Sequence, residues 1–125
     1  MTCSVFMVSV TFYTYPRSDD CSRGNRMRLA VVQTNPAPGA GDQNRARARA
    51  WMERVPADVY VLPELAFSGY NFANRRQARA RAETRNGPSV RWAEDFCRAT
   101  GSHVLFGFPE AAGGAVHNAA ALVGP

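Results

Sequence analysis

Apolar residues follow two different periods along this chain. Arg28-Leu29-Ala30-Val31-Val32-Gln33 and Asp58-Val59-Tyr60-Val61-Leu62 are short, nearly continuous apolar runs bounded by turn-forming residues. Such runs are typical of strands buried on both faces. His103-Val104-Leu105-Phe106-Gly107-Phe108 predicts a third strand, and Val116 to Val123, entered through Gly113-Gly114, a fourth. After the first strand, Ala48, Trp51, Met52 and Val55 fall at i, i+3, i+4, i+7, one stripe of an amphipathic helix. Asp42 is placed to cap that helix and Pro56 to stop it, with Arg45, Arg47, Arg49, Glu53 and Arg54 on its wet side. Arg75 to Ala82 predicts a short exposed helix. Asn86-Gly87-Pro88 then breaks the chain. Ser89 is the expected cap of a third helix, in which Trp92, Ala93, Phe96, Cys97 and Thr100 share one face and Gly101 supplies the left-handed stop. Buried strands alternating with amphipathic helices predict an α/β fold.

Residues 1–26 differ from the rest of the chain. An apolar opening, Val5 to Phe12, gives way to the turn-rich polar stretch Tyr15 to Arg26, and Met27 stands directly before the first clean strand. We read 1–26 as an N-terminal extension outside the domain and 27–125 as the domain. The alternative is an added edge strand from Val5 to Tyr13. The opening lacks the basic region and small-residue cleavage site of a secretory signal, so it reads as non-targeting.

Composition narrows the class. Apolar residues make up 46% of the 125 residues and charged residues 20%, the balance of a globular protein rather than a disordered one. The formal charge is +5, and every basic residue is arginine; lysine does not occur. The arginines are spread along the chain among acids, which favours coding bias over a nucleic-acid surface. Cys3, Cys21 and Cys97 form an odd, sparse set without CxxC spacing, which suits a reducing, cytoplasmic compartment. His103 and His117 have no ligand-spaced companions, so neither a metal nor another cofactor is expected. No apolar run reaches the roughly 18 residues of a membrane span. Cys97 lies on the apolar helix face and reads as a small buried core residue rather than a reactive thiol.

The residue that stands out is Glu64. Ligands in α/β folds gather at the carboxyl ends of the central strands, and Glu64 follows Leu62 there. Pro63 restricts the backbone before it, and Leu65-Ala66-Phe67 favours packing the loop inward. Apolar surroundings raise a carboxylate's pKa, which suits a general base. The blander reading is a solvated loop glutamate, since Glu is rarely buried. The other candidate motif, Gly39-Ala40-Gly41-Asp42-Gln43-Asn44, puts Asn44 where a dinucleotide fingerprint needs its third glycine, and Pro36 and Pro38 intrude. A dinucleotide site is not expected.

Taken together, these segments resemble a known family. Met27 to Gln33 is similar to the opening strand of the nitrilase, or carbon-nitrogen hydrolase, superfamily. Leu62-Pro63-Glu64 with Gly69-Tyr70 resembles its first catalytic motif. Gly107-Phe108-Pro109-Glu110 and His117-Asn118-Ala119-Ala120 resemble the strand and hairpin that come next in it. Glu64 to Phe72, and Gly87-Pro88-Ser89 with Arg91-Trp92-Ala93, are most similar to the fungal protein N-terminal amidase branch. His117 departs from the usual tyrosine and Ala119 from the common serine.

The resemblance implies the N-terminal portion of an α-β-β-α sandwich with a Glu-Lys-Cys triad. A cysteine thiolate attacks an amide or nitrile carbon, ammonia leaves, and water hydrolyses the thioester. Glu64 matches the glutamate that serves as general base. This agrees with the chemistry: a thiol of pKa about 8.5 needs a neighbouring base to attack at neutral pH. The lysine stabilises the oxyanion. The expected substrates are linear amides, foremost the N-terminal Asn or Gln of proteins, with another amidase or nitrilase activity of the superfamily as an alternative. Without lysine, and with no cysteine at the family position, the triad does not close within these residues. The chain is expected to be a fragment, a truncated gene product or an incompletely read gene, inactive alone. A non-catalytic remnant that associates through an unfinished sheet is the rival from another class, and it permits an oligomer. Arginine-mediated nucleic-acid binding ranks last.

Overall fold

The computed structural model describes residues 10–13, for their backbone, and 27–125. Most of 1–26 therefore lies outside the described residues. The elements are β1 (Val10–Tyr13), β2 (Leu29–Val32), α1 (Gly41–Met52), β3 (Val59–Val61), α2 (Arg75–Arg81), α3 (Pro88–Thr100), β4 (His103–Ala112) and β5 (Ala115–Val123). They form a mixed α/β structure around a five-stranded sheet in the order β1-β2-β3-β4-β5. The central pairs β2–β3 and β3–β4 are parallel, and the outer pairs β1–β2 and β4–β5 are antiparallel. Val10–Tyr13 pairs with β2 at the edge of the sheet, and the rest of the stretch from Val5 lies outside the described residues.

The predicted strands appear where the apolar runs lie, with β4 longer than expected because Pro109 to Ala112 continues into the hairpin. Gly113 and Gly114, at φ 56° and 79°, make the turn in a backbone region that other residues rarely enter. Ala30, Tyr60, Val104 and Phe106 point from the sheet toward α1 and α3, where Ala48, Met52, Ala93, Phe96 and Cys97 meet them in one core. Tyr60 is buried with its hydroxyl satisfied, donating to the Val55 carbonyl at 2.8 Å and accepting from the Ala57 N–H at 3.1 Å. The opposite face carries Leu29, Val31, Val59, Val61 and Leu105, half-buried, and Leu122, 67% exposed.

Two caps differ from expectation. Asp42 does not cap α1; the N-cap is Ala40, and Asp42 sits in the first turn bonded to Arg45. Ser89 does not cap α3 either. Pro88 and Ser89 open the helix behind Gly87, and the carboxylate of Glu83 takes the Ser89 N–H at 2.7 Å and its hydroxyl at 2.8 Å. A carboxylate at a helix N-terminus satisfies an orphan N–H and meets the positive end of the helix dipole. Arg45, expected on the wet side, is largely buried, because it reaches Ser89 Oγ at 3.1 Å in the same cluster.

Cys97 is fully buried and its thiol donates to the Val123 carbonyl. Burial pushes the thiol pKa above its ordinary value of 9.0, with backbone hydrogen bonding opposing the shift. A raised folded-state pKa gives stability that is complete below the unfolded thiol's pKa and is lost as pH rises toward the folded one. Unfolding free energy measured by urea titration is therefore expected to fall above about pH 9, with the fall reduced in Cys97→Ala. A flat profile in the parent chain over that range would count against the buried thiol.

Candidate functional site

Leu62 to Gly69 follows β3 and clings to the edge of β4. Leu62 N–H donates to the Leu105 carbonyl at 2.8 Å, Ala66 N–H to Gly107 at 3.0 Å, and Gly107 N–H to Pro63 at 3.3 Å. Further along, Glu83 N–H donates to Pro109 and Ala111 N–H to Glu83. The loop thus continues the sheet where β3 stops, satisfying β4 groups that burial would otherwise leave unpaired.

Within this segment the backbone turns at Leu65, φ 49°, and at Gly69, φ 73°. Glu64 crosses β4 directly over Gly107. A Cβ at Gly107 would come within 2.7 Å of the Glu64 Cα and 3.0 Å of the Leu65 nitrogen, so only glycine admits the crossing. Gly69 has the same role against the β2–α1 connection, where a Cβ would lie 2.9 Å from the Pro38 Cα.

Asn44 locks these two loops. It is 4% exposed; its Nδ2 donates to the Ala37 and Phe67 carbonyls, both at 2.8 Å, and its Oδ1 accepts from the Ala37 N–H at 2.9 Å. The residue that spoils a dinucleotide fingerprint is therefore a buried connector. Sequence reasoning missed it because its partners are backbone groups; the one available signal was an asparagine on the apolar side of α1. Phe67 anchors the loop from below, 1% exposed, with ring centroids 4.9 Å from Trp92 and 5.2 Å from Phe106.

Glu64 itself is exposed. The apolar surroundings expected from Leu65-Ala66-Phe67 do not reach its carboxylate, because Ala66 and Phe67 turn into the core and Glu64 turns away. Its Oε1 accepts a hydrogen bond from Nδ2 of Asn118 on β5. Tyr70 lies near: its phenol pKa is raised, first by partial burial and then by the negative charge of Glu64, so it keeps its proton. A cleft of about 450 Å³, lined in part by Pro36, Asn44, Arg47, Trp51 and Ala66, opens beside the same loop but does not include Glu64. Chemically, this end of the sheet presents one carboxylate able to take a proton, one amide and one neutral phenol.

Cys97 lies in the core and none of these groups touches it. Cys3 and Cys21 lie outside the described residues. Among the described residues no cluster of His, Cys, Asp and Glu is arranged to hold a metal, and no helix is long and apolar enough to cross a membrane.

Residues 28–125 match the model of the carbon-nitrogen hydrolase family. A hydrolase of the pqqF 5' region of Pseudomonas protegens is 38% identical over 100 residues, covering 78% of this chain and 34% of the relative. A nitrilase of Pyrococcus abyssi is 32% identical over 103 residues, covering 79% of this chain and 39% of the relative. The crystal structure of an N-terminal amidase, solved also with Gln-Val and Asn-Glu peptides, superposes with a TM-score of 0.72 at 25% identity, covering 78% of this chain and 25% of the other. The chain thus spans a third or a little more of the curated relatives' length, and its fold corresponds to part of a nitrilase-like fold. The match across nearly all of the described domain shows that this chain belongs to the carbon-nitrogen hydrolase family.

Proposed function

We propose that this chain supplies the general base, Glu64, of a cytoplasmic carbon-nitrogen hydrolase that removes ammonia from N-terminal Asn or Gln of proteins. The observation that carries the reading is the placement of Glu64. It is an exposed carboxylate at the carboxyl end of a central parallel strand, on a loop whose backbone crosses β4 where only glycine fits. A general base must stand within hydrogen-bond reach of the proton it takes, so its backbone must be held. The substrate class is favoured by the likeness to an N-terminal amidase whose structures include Asn- and Gln-initiated peptides.

In this scheme Glu64 accepts the proton of a cysteine thiol as sulfur attacks the amide carbon. The C–N bond breaks, and the nitrogen leaves as ammonia with that proton. Glu64 then takes a proton from water, which hydrolyses the thioester to the acid. The chain contains no lysine, and Cys97 is buried away from Glu64, so the scheme requires an oxyanion-stabilising lysine that these 125 residues do not supply and a nucleophile other than Cys97. The rival reading, a remnant associating through the exposed β5 and the half-exposed face of the sheet, is favoured by Leu122 at 67% exposure.

Two measurements test the reading. The 125-residue chain is expected to release no ammonia from an Asn-initiated peptide; release above a Glu64→Ala control would show that the triad is divided differently. The reading frame beyond Pro125 is expected to encode a lysine followed by a cysteine. A protein carrying that region is expected to deamidate Asn- and Gln-initiated peptides. A frame lacking both residues would end the enzyme reading.

A further inference from the structure

The loop backbone is over-determined, but nothing in it orients the Glu64 side chain. An exposed glutamate sweeps several rotamers, and fixing one costs rotamer freedom. We propose that Asn118 is the positioning residue of Glu64: its side-chain amide, carried across by β5, holds Oε1 and leaves Oε2 free to exchange the proton. The inference rests on the reading of Glu64 as the base.

The sheet explains how Asn118 arrives there. Pro109 and Asn118 are opposed in the β4–β5 register, as are Gly107 and Ala120. The carbonyl of Pro109 bonds Glu83, and Gly107 bonds Pro63 and Ala66, so both residues direct their backbone groups away from β5. These are therefore the pairs of the ladder without mutual hydrogen bonds, where opposed side chains stand closest. On the same face, Gly107 leaves the space in which the Glu64 backbone lies, and Ala120 is its partner on β5. Asn118 rises one diagonal step from Gly107, a distance that side chains bridge in antiparallel pairs. Its Nδ2 is the hydrogen-bond donor to Glu64 among the described side chains.

The chemistry of the residue fits the task. A lysine or arginine at 118 would grip the carboxylate harder but would depress its proton affinity, which a base cannot spare. A carboxamide carries no charge of its own, so it orients the carboxylate and leaves the site's net charge unchanged. Glycine at 107 keeps that space open, and a side chain there would lift the loop from the strand.

The test uses the intact 125-residue chain and needs no turnover, so its failure is distinguishable from failure of the hydrolase reading. With isotope-labelled protein, the Asn118 side-chain amide signals are expected to shift as acid protonates the carboxylate, and that shift is expected to vanish in Glu64→Gln. In Asn118→Ala, and equally in Asn118→Leu, which keeps the size and loses the donor without adding charge, the order parameter of the Glu64 side chain is expected to fall. The backbone amides of residues 65–69 and of Gly107 are expected to stay in place. Asn118 signals indifferent to pH and to Glu64→Gln would overturn the proposal. So would unchanged Glu64 order in both variants. Concerted movement of the loop and hairpin amides would also overturn it, by showing a structural tether instead.

Discussion

Phe67→Ala is expected to lower the unfolding free energy by about 3–5 kcal/mol, the usual range for removing a fully enclosed aromatic ring. The ring is 1% exposed and packs edge-on against Trp92 and tilted against Phe106. Removing it deletes the transfer energy of the ring and leaves a cavity between α3 and β4 that neither rigid element can close. Aromatic pairing adds roughly 0.5–1.5 kcal/mol per pair to the burial term. Phe67→Leu retains much of the volume and is expected to cost less than half as much. Urea unfolding of the three proteins decides the matter. A Phe67→Ala loss near 1 kcal/mol would mean that the loop is not anchored in the core. The effect on function comes from position, since Phe67 lies three residues after Glu64. Loss of the ring frees the segment that presents the carboxylate even where the rest of the sheet survives.

Asn44→Leu is expected to cost about 3 kcal/mol, although it puts a larger apolar side chain into a buried place. The side chain makes three hydrogen bonds to backbone, two with Ala37 and one with the Phe67 carbonyl. A buried backbone group stripped of its partner costs about 1–3 kcal/mol. The Ala37 groups are part-buried and recover some of that from water, whereas the Phe67 carbonyl is buried and does not. Hydrophobic gain does not offset the loss, because leucine has no group to offer either loop. Hydrogen exchange provides the more specific measurement. The Gly39 N–H bonds the Ser68 carbonyl across the same loop pair and is expected to lose protection in Asn44→Leu, while β4 amides such as Phe106 keep theirs. Unchanged protection at Gly39 would mean the loops hold together without Asn44.

Both predictions concern one arrangement: two loops at the carboxyl ends of β2 and β3, locked to each other by Asn44 and to the core by Phe67. Such a lock gives an exposed carboxylate a defined origin without burying it. The carboxylate itself stays exposed, so its position comes from the loop's backbone geometry and not from enclosure of the side chain.

What the sequence determined by itself is the set of elements from residue 27 onward and a candidate for the base. Apolar runs at Leu29–Val32, Val59–Leu62 and His103–Phe108 marked the strands, although the sheet buries one of their faces fully and the other only in part. The stripe of Ala93, Phe96 and Cys97 required a helix, and Gly101 its end. Glu64 was legible because it is a lone acid at a strand's carboxyl end, and the missing lysine is plain from composition. The tertiary structure alone decided how the elements are tied. Glu83 caps α3 in place of Ser89, Arg45 leaves the wet face to join it, Asn44 bonds Phe67 from 23 residues away, and Asn118 reaches Glu64 from 54 away. Periodicity records only which side of an element is wet. A hydrogen bond between distant residues depends on register, on a glycine such as Gly107 that lets one backbone cross another, and on which loop lies within about 3 Å. Those are properties of the folded chain in space, and they hold Glu64 where it stands.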